Sequence, residues 1–174
     1  MVRFIIGSVI LMLSACSTPE FSGPPLLGLK FNEPYPAMFG GGVHIGLDMD
    51  VPLRTPVRSI ADGEVLASTT IDIRGFPTNV VSIIHSDGVI SRYLHIDTLS
   101  VKAFDKVRQG QQIALTALNG PGGPSSTSSG HKLVPYPHLH LEVFKGGKLI
   151  DPTSLPLACG ETKWRWPVGC KQPK

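Results

Sequence analysis

The stretch PYPHLHLEV, residues 135–143, alternates polar and apolar residues from position 138 onward, as a half-buried β-strand requires. Successive side chains of a strand point to opposite faces. One face would carry His138, His140 and Glu142, and the other Leu139, Leu141 and Val143. The apolar set predicts a strand packed on a core. The polar set indicates either two satisfied strand histidines or a metal-binding or catalytic face.

Short β-branched segments of the same kind recur from about residue 39. They include HIGLDMDV (44–51), NVVSIIH (79–85) and GVISRYLHI (88–96), and the SDG tripeptide at 86–88 is typical of a hairpin turn. The 19 glycines and 16 prolines suit many short strands joined by turns. Since no stretch of the domain keeps a 3.6-residue period over three turns, the sequence predicts a mostly β protein of antiparallel sheets with few or no helices.

The chain has a small net positive charge. The formal net charge is +3, 17% of residues are charged, and the lysines and arginines are scattered rather than clustered. A nucleic-acid-binding surface normally shows a basic patch or stripe. We therefore expect no nucleic-acid partner.

The N-terminus has the pattern of a secretory signal. A positive start, MVRF, precedes the apolar run IIGSVILML, which is too short to span a bilayer comfortably and predicts a signal peptide over residues 1–15. LSAC (13–16) resembles the lipobox of bacterial lipoproteins, which implies that Cys16 is lipidated and anchors the chain in a membrane. Ser17 after it favours the outer membrane, facing the periplasm. Residues 16–38, rich in Pro, Ser and Gly, are predicted to be a tether.

The remaining cysteines lie near the C-terminus. With Cys16 assigned to lipid, Cys159 and Cys170 are left and can pair within the tail, residues 158–174. Two free thiols would be unusual outside the cytosol. We therefore expect a disulfide that closes the tail.

Partners for the histidine pair occur early in the chain. In HIGLD, His44 and Asp48 share parity in an extended segment and can lie on one face. Imidazole nitrogen and carboxylate oxygen are both zinc ligands, and catalytic zinc sites commonly use three protein ligands. His44, Asp48 and one histidine of the pair would make such a set. YLH places His95 at the end of another strand.

Taken in order, H-x-x-x-D, Y-x-H and H-x-H resemble the motifs of the lysostaphin-type, or LytM-domain, zinc endopeptidases. The matching context includes H-x-G-x-D followed by TPV and A-x-G-x-V, HLHLEV, and KLIDP at the end, over roughly residues 39–153. The resemblance implies a β-sandwich-like domain at residues 39–157, with a groove formed by antiparallel sheets.

The resemblance also implies roles for particular residues. His44, Asp48 and His140 would bind one Zn²⁺ per chain, and His138 and His95 would flank the attacking water and the scissile carbonyl. We assign His138 as general base and His95 as oxyanion donor, although the sequence does not decide between the two. Glu142 either orients a ligand or faces solvent. Tyr93 is expected in the groove wall, and His85 is expected to be structural.

The implied function is hydrolysis of peptide bonds in peptidoglycan stem peptides or cross-links. The alternative is a catalytically inactive LytM-domain lipoprotein that binds and activates cell-wall amidases or other wall hydrolases. A cupin-like metal protein would also use H-x-H but would leave HIGLD and YLH unexplained. The chain departs from the family before the pair, where residues 119–137 form a longer loop that is expected to border the groove.

Overall fold

A computed structural model of the chain describes residues 25–35, 41–73, 75–118, 137–159 and 162–169. The predicted signal peptide, Cys16, Cys170 and most of the 119–137 loop lie outside these ranges. No helix within them is long and apolar enough to cross a membrane.

The described residues form ten strands: β1 (Leu26–Leu27), β2 (Leu47–Asp50), β3 (Pro56–Arg58), β4 (Gly63–Ile73), β5 (Phe76–His85), β6 (Val89–Asp97), β7 (Lys106–Val107), β8 (Gln112–Thr116), β9 (His138–Lys145) and β10 (Lys148–Ile150). Every strand pairing is antiparallel. Among the described residues the only helical element is a 3₁₀ turn at Pro152–Ser154. The predicted fold class, mostly antiparallel β with few or no helices, is confirmed.

The strands pair in the order β1–β2–β9–β6–β5–β4–β7, with β10 on β9 and with β8 linking β6 to β3. β9 therefore lies between β2 and β6, although these strands are distant in sequence. This arrangement brings the HIGLD, YLH and HLH segments together at one place in the sheet.

The two faces of this sheet differ in composition. One face is fully buried and carries Leu47, Met49, Val81, Ile83, Tyr93, Leu139, Leu141 and Val143, which pack with Val57 of β3 and Ile113 of β8. Each such aliphatic side chain contributes about 1.5–3 kcal/mol when it leaves water. The opposite face carries the register-matched pairs Asp48–His140, Leu94–His140 and Arg92–Glu142. The alternation read from the sequence therefore separates core from functional face.

The C-terminal tail completes the core. Leu155, Trp164 and Val168 are buried members of the hydrophobic cluster. The Arg165 amide donates to the Ile60 carbonyl at 2.8 Å, which fixes the tail beside β3. Cys159 is disulfide-bonded. Because Cys170 lies outside the described residues, its pairing with Cys159 stays a prediction.

Residues 25–35, which fall within the predicted tether, pair with the sheet. β1 runs antiparallel to β2, with Leu26 opposite Asp50 and Leu27 opposite Met49. The Gly28 amide donates to the Asp48 carbonyl at 2.9 Å, and the Asp48 amide donates to the Leu29 carbonyl at 2.9 Å. This N-terminal strap covers the edge of β2 that would otherwise be unpaired.

Candidate metal centre

The centre is built on the pairing of β2 with β9. Asp48 lies directly opposite His140, a position that brings Cβ atoms to about 4.5–5.5 Å. Gly46 allows the segment around His44 to approach β9 closely. A Cβ at position 46 would lie 2.5 Å from His140 Nε2 and 2.6 Å from the Leu141 carbonyl oxygen, so a larger residue cannot fit without movement. The glycine of HIGLD therefore serves the close contact between the two strands.

Three side-chain atoms converge on one point. His140 Nδ1 lies 2.8 Å from Asp48 Oδ1 and 3.0 Å from His44 Nε2, and His44 Nε2 lies 3.1 Å from Asp48 Oδ1. All three residues are buried. His44, Asp48 and His140 form the only group among the described residues in which three histidine, cysteine or acidic side chains bring ligand atoms this close together.

In each imidazole, the nitrogen that points away from the cluster (the outward nitrogen) makes a hydrogen bond that determines the tautomer. The tautomer in turn determines whether the nitrogen that points into the cluster (the inward nitrogen) carries a proton. His44 Nδ1 donates to the Lys30 carbonyl at 3.1 Å, and because a carbonyl only accepts, this nitrogen carries the proton. His140 Nε2 donates in the same way to Glu142 Oε1 at 3.3 Å. In the neutral rings the inward nitrogens then present lone pairs. Two nitrogen lone pairs and a carboxylate oxygen therefore face one another.

Such a cluster of acceptors needs a cation at its centre. In the metal-free protein burial by itself would raise the pKa of Asp48, but the hydrogen bonds that His140 and His44 donate whenever an inward nitrogen carries a proton outweigh it and hold that pKa well below its usual range. Burial would lower the pKa of His140, but hydrogen bonds to Asp48 and Glu142 raise it to about 9 in the metal-free protein. A single proton on His140 Nδ1 can serve Asp48 Oδ1 or His44 Nε2, but not both. The donor set, two imidazole nitrogens and one carboxylate oxygen, is one that zinc accepts.

Glu142 is buried rather than solvent-facing. Its residue is 2% exposed, and its carboxylate accepts from His140 and forms an ion pair with Arg92 on β6. The Arg92 guanidinium also lies over the Phe144 ring, 5.3 Å from the centroid. Of the two alternatives for Glu142, the structure thus favours orientation of His140, and the solvent-facing alternative is wrong.

His138 and His95 lie beside the converging atoms without joining them. His138 Nε2 is 3.9 Å from Asp48 Oδ1, and the His138 and His95 ring centroids are 4.6 Å apart. His138 is half-buried. The structure therefore brings all five predicted residues together but separates them into a group of three and a pair.

A bulge in β6 directs His95 to this face. Leu94 pairs with Val80 and Ile96 with Asn79, so His95 is the extra residue between two ladder positions. Its φ of 59° is in the left-handed region, which costs a non-glycine residue about 1–2 kcal/mol. Simple alternation would place His95 on the core face with Tyr93. Backbone strain of this kind is concentrated at functional sites.

Other predicted residues lie elsewhere. Tyr93 is fully buried on the core face and accepts from the Ile60 amide at 3.0 Å, so its placement in the groove wall was wrong. His85 is buried on that same face, consistent with a structural role. The sequence reading missed two contributors from the strap, the Lys30 carbonyl and the Tyr35 ring, which lies parallel to the His44 ring with centroids 5.9 Å apart. A backbone carbonyl leaves no signal in sequence.

The family model described as Peptidase family M23 matches residues 42–152. The DD-carboxypeptidase/endopeptidase Mpg of Neisseria meningitidis serogroup B is 31% identical over 146 residues, which are 81% of this chain and 30% of that protein. The chain spans only 20–30% of the length of the curated relatives reported for it, for example 26% of two and 30% of another.

Solved structures share the fold. The catalytic domain of the antimicrobial peptidase lysostaphin from Staphylococcus simulans aligns with a TM-score of 0.60 at 27% identity, over 75% of this chain and 90% of that one. A zinc-containing peptidase from Vibrio cholerae aligns with a TM-score of 0.58 at 30% identity, over 76% of this chain and 37% of that one. The matched family region includes all five site residues but ends before the C-terminal tail.

Proposed function

The chain belongs to peptidase family M23, and we propose that it is a zinc metalloendopeptidase that hydrolyses peptide bonds in peptidoglycan stem peptides or cross-links. Relatives named as endopeptidases support the reaction class. One of them, ShyA of Vibrio cholerae, is named a peptidoglycan DD-endopeptidase. These names support peptidoglycan as the substrate.

The observation that carries the proposal is the convergence of three buried acceptors. His44, Asp48 and His140 would hold one Zn²⁺ per chain, with Lys30 and Glu142 orienting the two imidazoles from outside. When bound, zinc would act as a Lewis acid that activates water and polarises the peptide carbonyl. The donor types and their separations of 2.8–3.1 Å fit this ion.

His138 and His95 would supply the proton transfer and the stabilisation of the oxyanion. A neutral imidazole at position 138 can accept the proton of the attacking water and return it to the leaving amine. An imidazole at position 95 can donate a hydrogen bond to the oxygen that gains negative charge as the carbonyl is attacked. The two ring centroids are 4.6 Å apart, which supports the proposal that both side chains act on the same peptide bond of the substrate. The opposite assignment of base and donor would use the same geometry.

The envelope location is part of the proposal. A lipid on Cys16 would anchor the domain to a membrane, with the outer membrane facing the periplasm favoured by Ser17. An anchored domain would meet peptidoglycan within the length of its N-terminal linker. The alternative function, an inactive domain that activates wall hydrolases, is supported less because all three candidate ligands are present here.

Digestion of purified peptidoglycan tests the function directly. The zinc-loaded protein is expected to release fragments whose masses show new peptide termini, and a chelator should stop this release until zinc is restored. The His44→Ala protein is the matched inactive control. If no new termini form at any zinc concentration while the protein binds one zinc, the enzyme proposal is wrong and the activator alternative gains support.

A further inference from the structure

Phe104 occupies an unusual position in the turn before β7. Its residue is 79% exposed, and its φ of 72° lies in the left-handed region. Bulky residues rarely adopt this conformation, which glycine adopts without strain. A phenyl ring that remains largely in water contributes little to folding. Neither the backbone conformation nor core packing therefore explains an aromatic residue at this position.

Hydrogen bonds hold the turn in place. Within it, the Asp105 amide donates to the Lys102 carbonyl at 3.2 Å, and the Asp105 carboxylate accepts from the Lys102 amide at 3.0 Å. Two further bonds join the turn to β4. The Phe104 amide donates to the Val65 carbonyl at 2.7 Å, and the Val65 amide donates to the Asp105 carbonyl at 2.9 Å. The backbone thus presents the phenyl ring to solvent from a fixed position.

Leu66 adds a second apolar side chain beside the turn. It follows Val65 directly, is 43% exposed and lies where the register between β4 and β5 shifts at a bulge. Three exposed basic residues lie in or next to the turn: Lys102, Lys106 and Arg108. Lys106 is paired with Glu64. We call Phe104, Leu66 and the three basic residues the turn patch. Apolar side chains among basic ones are typical of surfaces that lie at an anionic bilayer.

We propose that the turn patch contacts the membrane to which the chain is anchored, with Phe104 inserted among anionic phospholipid headgroups. This inference rests on the lipid anchor at Cys16, which is part of the proposed function. The phenyl ring leaves water, and the basic side chains are attracted to the anionic surface. One such contact is weak, but the anchor keeps the patch at a high effective concentration near the bilayer. The contact would therefore fix the orientation of the domain on the membrane.

The length of the N-terminal segment permits this contact. β1 and β4 are five strand spacings apart in the sheet, or about 24 Å. Nine residues, 17–25, separate Cys16 from β1 and span at most about 35 Å. The anchor can thus remain in the bilayer while the patch, at the opposite side of the sheet from β1, also reaches it.

A tryptophan at position 104 tests the contact by fluorescence. The acylated Phe104→Trp protein is reconstituted into vesicles of phosphatidylethanolamine and phosphatidylglycerol that include brominated lipid. After subtraction of the signal of the unaltered protein, the new indole should be quenched and its emission shifted to shorter wavelength. Leu53→Trp is the matched control, since Leu53 is 47% exposed but lies in the turn before β3. Equal quenching of the two indoles, or none, would overturn the proposal.

Further variants test the charges and the strain. In the Phe104→Trp protein, Lys102→Gln and Arg108→Gln should each weaken the contact about fivefold on these vesicles and have no effect on phosphatidylcholine alone. An equal effect on both lipids would overturn the assignment to an anionic membrane. Phe104→Gly should keep or raise the Tm, because glycine suits the left-handed backbone. A marked fall in Tm would show that the ring serves the fold and would contradict the proposal.

Digestion of peptidoglycan separates this inference from the proposed function. Because quenching requires no turnover, a quenched indole on a protein that digests no peptidoglycan would retain the contact and overturn the function. Digestion without quenching would retain the function and overturn the contact. If Phe104→Gly slows digestion by the unacylated Cys16→Ser protein, the ring contacts the substrate instead, and the membrane proposal is wrong. Absence of acyl groups on Cys16 would also overturn it.

Discussion

Two groups of polar side chains, one around His85 and one around His44 and His140, lie buried on opposite faces of the same sheet. They differ in how their hydrogen-bond donors and acceptors are matched. On the core face, His85 Nδ1 donates to the Asp62 carbonyl at 2.8 Å, and His85 Nε2 accepts from the Ser91 hydroxyl at 2.8 Å. The Ser91 oxygen can in turn accept from the Tyr93 hydroxyl, 3.0 Å away. On the groove face, His44 and His140 direct lone pairs toward each other and toward Asp48.

Burial does not distinguish the two clusters, because His85, His44 and His140 are all buried. The balance of hydrogen-bond donors and acceptors distinguishes the two clusters. Around His85 each donor faces an acceptor, which closes a neutral network with no place for a cation. Around His140 acceptors outnumber protons, which is the condition for metal binding. An excess of acceptors over protons therefore distinguishes the candidate metal centre from the closed network on the core face.

The largest expected effect comes from removing one of the three converging groups. His44→Ala, Asp48→Ala and His140→Ala should each lose most of the bound zinc, because two ligands hold the ion far less tightly than three. Zinc per chain, measured by elemental analysis after gel filtration, checks this. His85→Gln, which alters the core-face histidine, should keep a full equivalent, and stoichiometric zinc in the three alanine variants would contradict the site.

Loss of the paired histidines should reduce turnover while zinc stays bound. His138→Ala is expected to lower kcat by about 10²–10⁴-fold, the range of a general acid–base group. His95→Asn should lose a comparable factor; asparagine tolerates the left-handed backbone at this bulge, so the change tests the imidazole rather than the fold. Steady-state kinetics with zinc analysis measure both. Zinc loss from His138→Ala would instead make His138 a ligand.

A smaller effect is expected from the residue that orients His140. Glu142→Gln keeps the shape of the side chain but removes the charge that faces His140 and Arg92, so zinc affinity should fall about 10–100-fold. Competition with a chromophoric chelator measures it. Ser91→Ala, which breaks the core-face network, should leave zinc affinity unchanged while lowering the free energy of unfolding by about 1–3 kcal/mol. Equal zinc affinity in both variants would remove Glu142 from the centre.

The smallest effect is a pH dependence specific to the core-face cluster. Burial lowers the pKa of His85, against opposing contributions from its hydrogen bond to Asp62 and from the Asp87 and Asp62 charges. Lys163, paired with Asp87 at 3.0 Å, lines the same surface pocket as His85. The unfolded chain binds a proton near pH 6.5 while folded His85 stays neutral. Above pH 6.5 the free energy of unfolding should therefore not depend on His85. It should decrease as the pH drops from 6.5 toward the pKa of His85 in the folded protein, which is lower.

Urea unfolding of the zinc-saturated protein between pH 7.5 and 5 measures this slope, and the protons that the zinc ligands take up on unfolding contribute equally to the two proteins compared. The His85→Gln variant is the control, because glutamine does not ionise in this range. Its stability should depend less on pH than that of the unaltered protein. Identical slopes would show that His85 does not contribute.

Much of this protein follows from local sequence pattern. Alternation in HLHLEV separates the imidazole face from the leucine face, and the composition predicts short antiparallel strands, because side-chain direction in a strand depends only on position along the chain. The motif order also predicts which residues meet, and the structure brings His44, Asp48, His95, His138 and His140 together.

Only the tertiary structure decided the finer arrangement. It buries Glu142 against Arg92 and turns His95 to the groove through a bulge that alternation would not predict. Its distances also separate His140 from His138, a division that the family resemblance implied but that alternation alone left open. It also supplies the Lys30 carbonyl from a segment that the sequence suggested was a tether. The positions of His140 and Glu142 depend on the pairing of β9 with β2 and β6, which are distant in sequence. The register of these strands is specified because one face of the sheet must be buried.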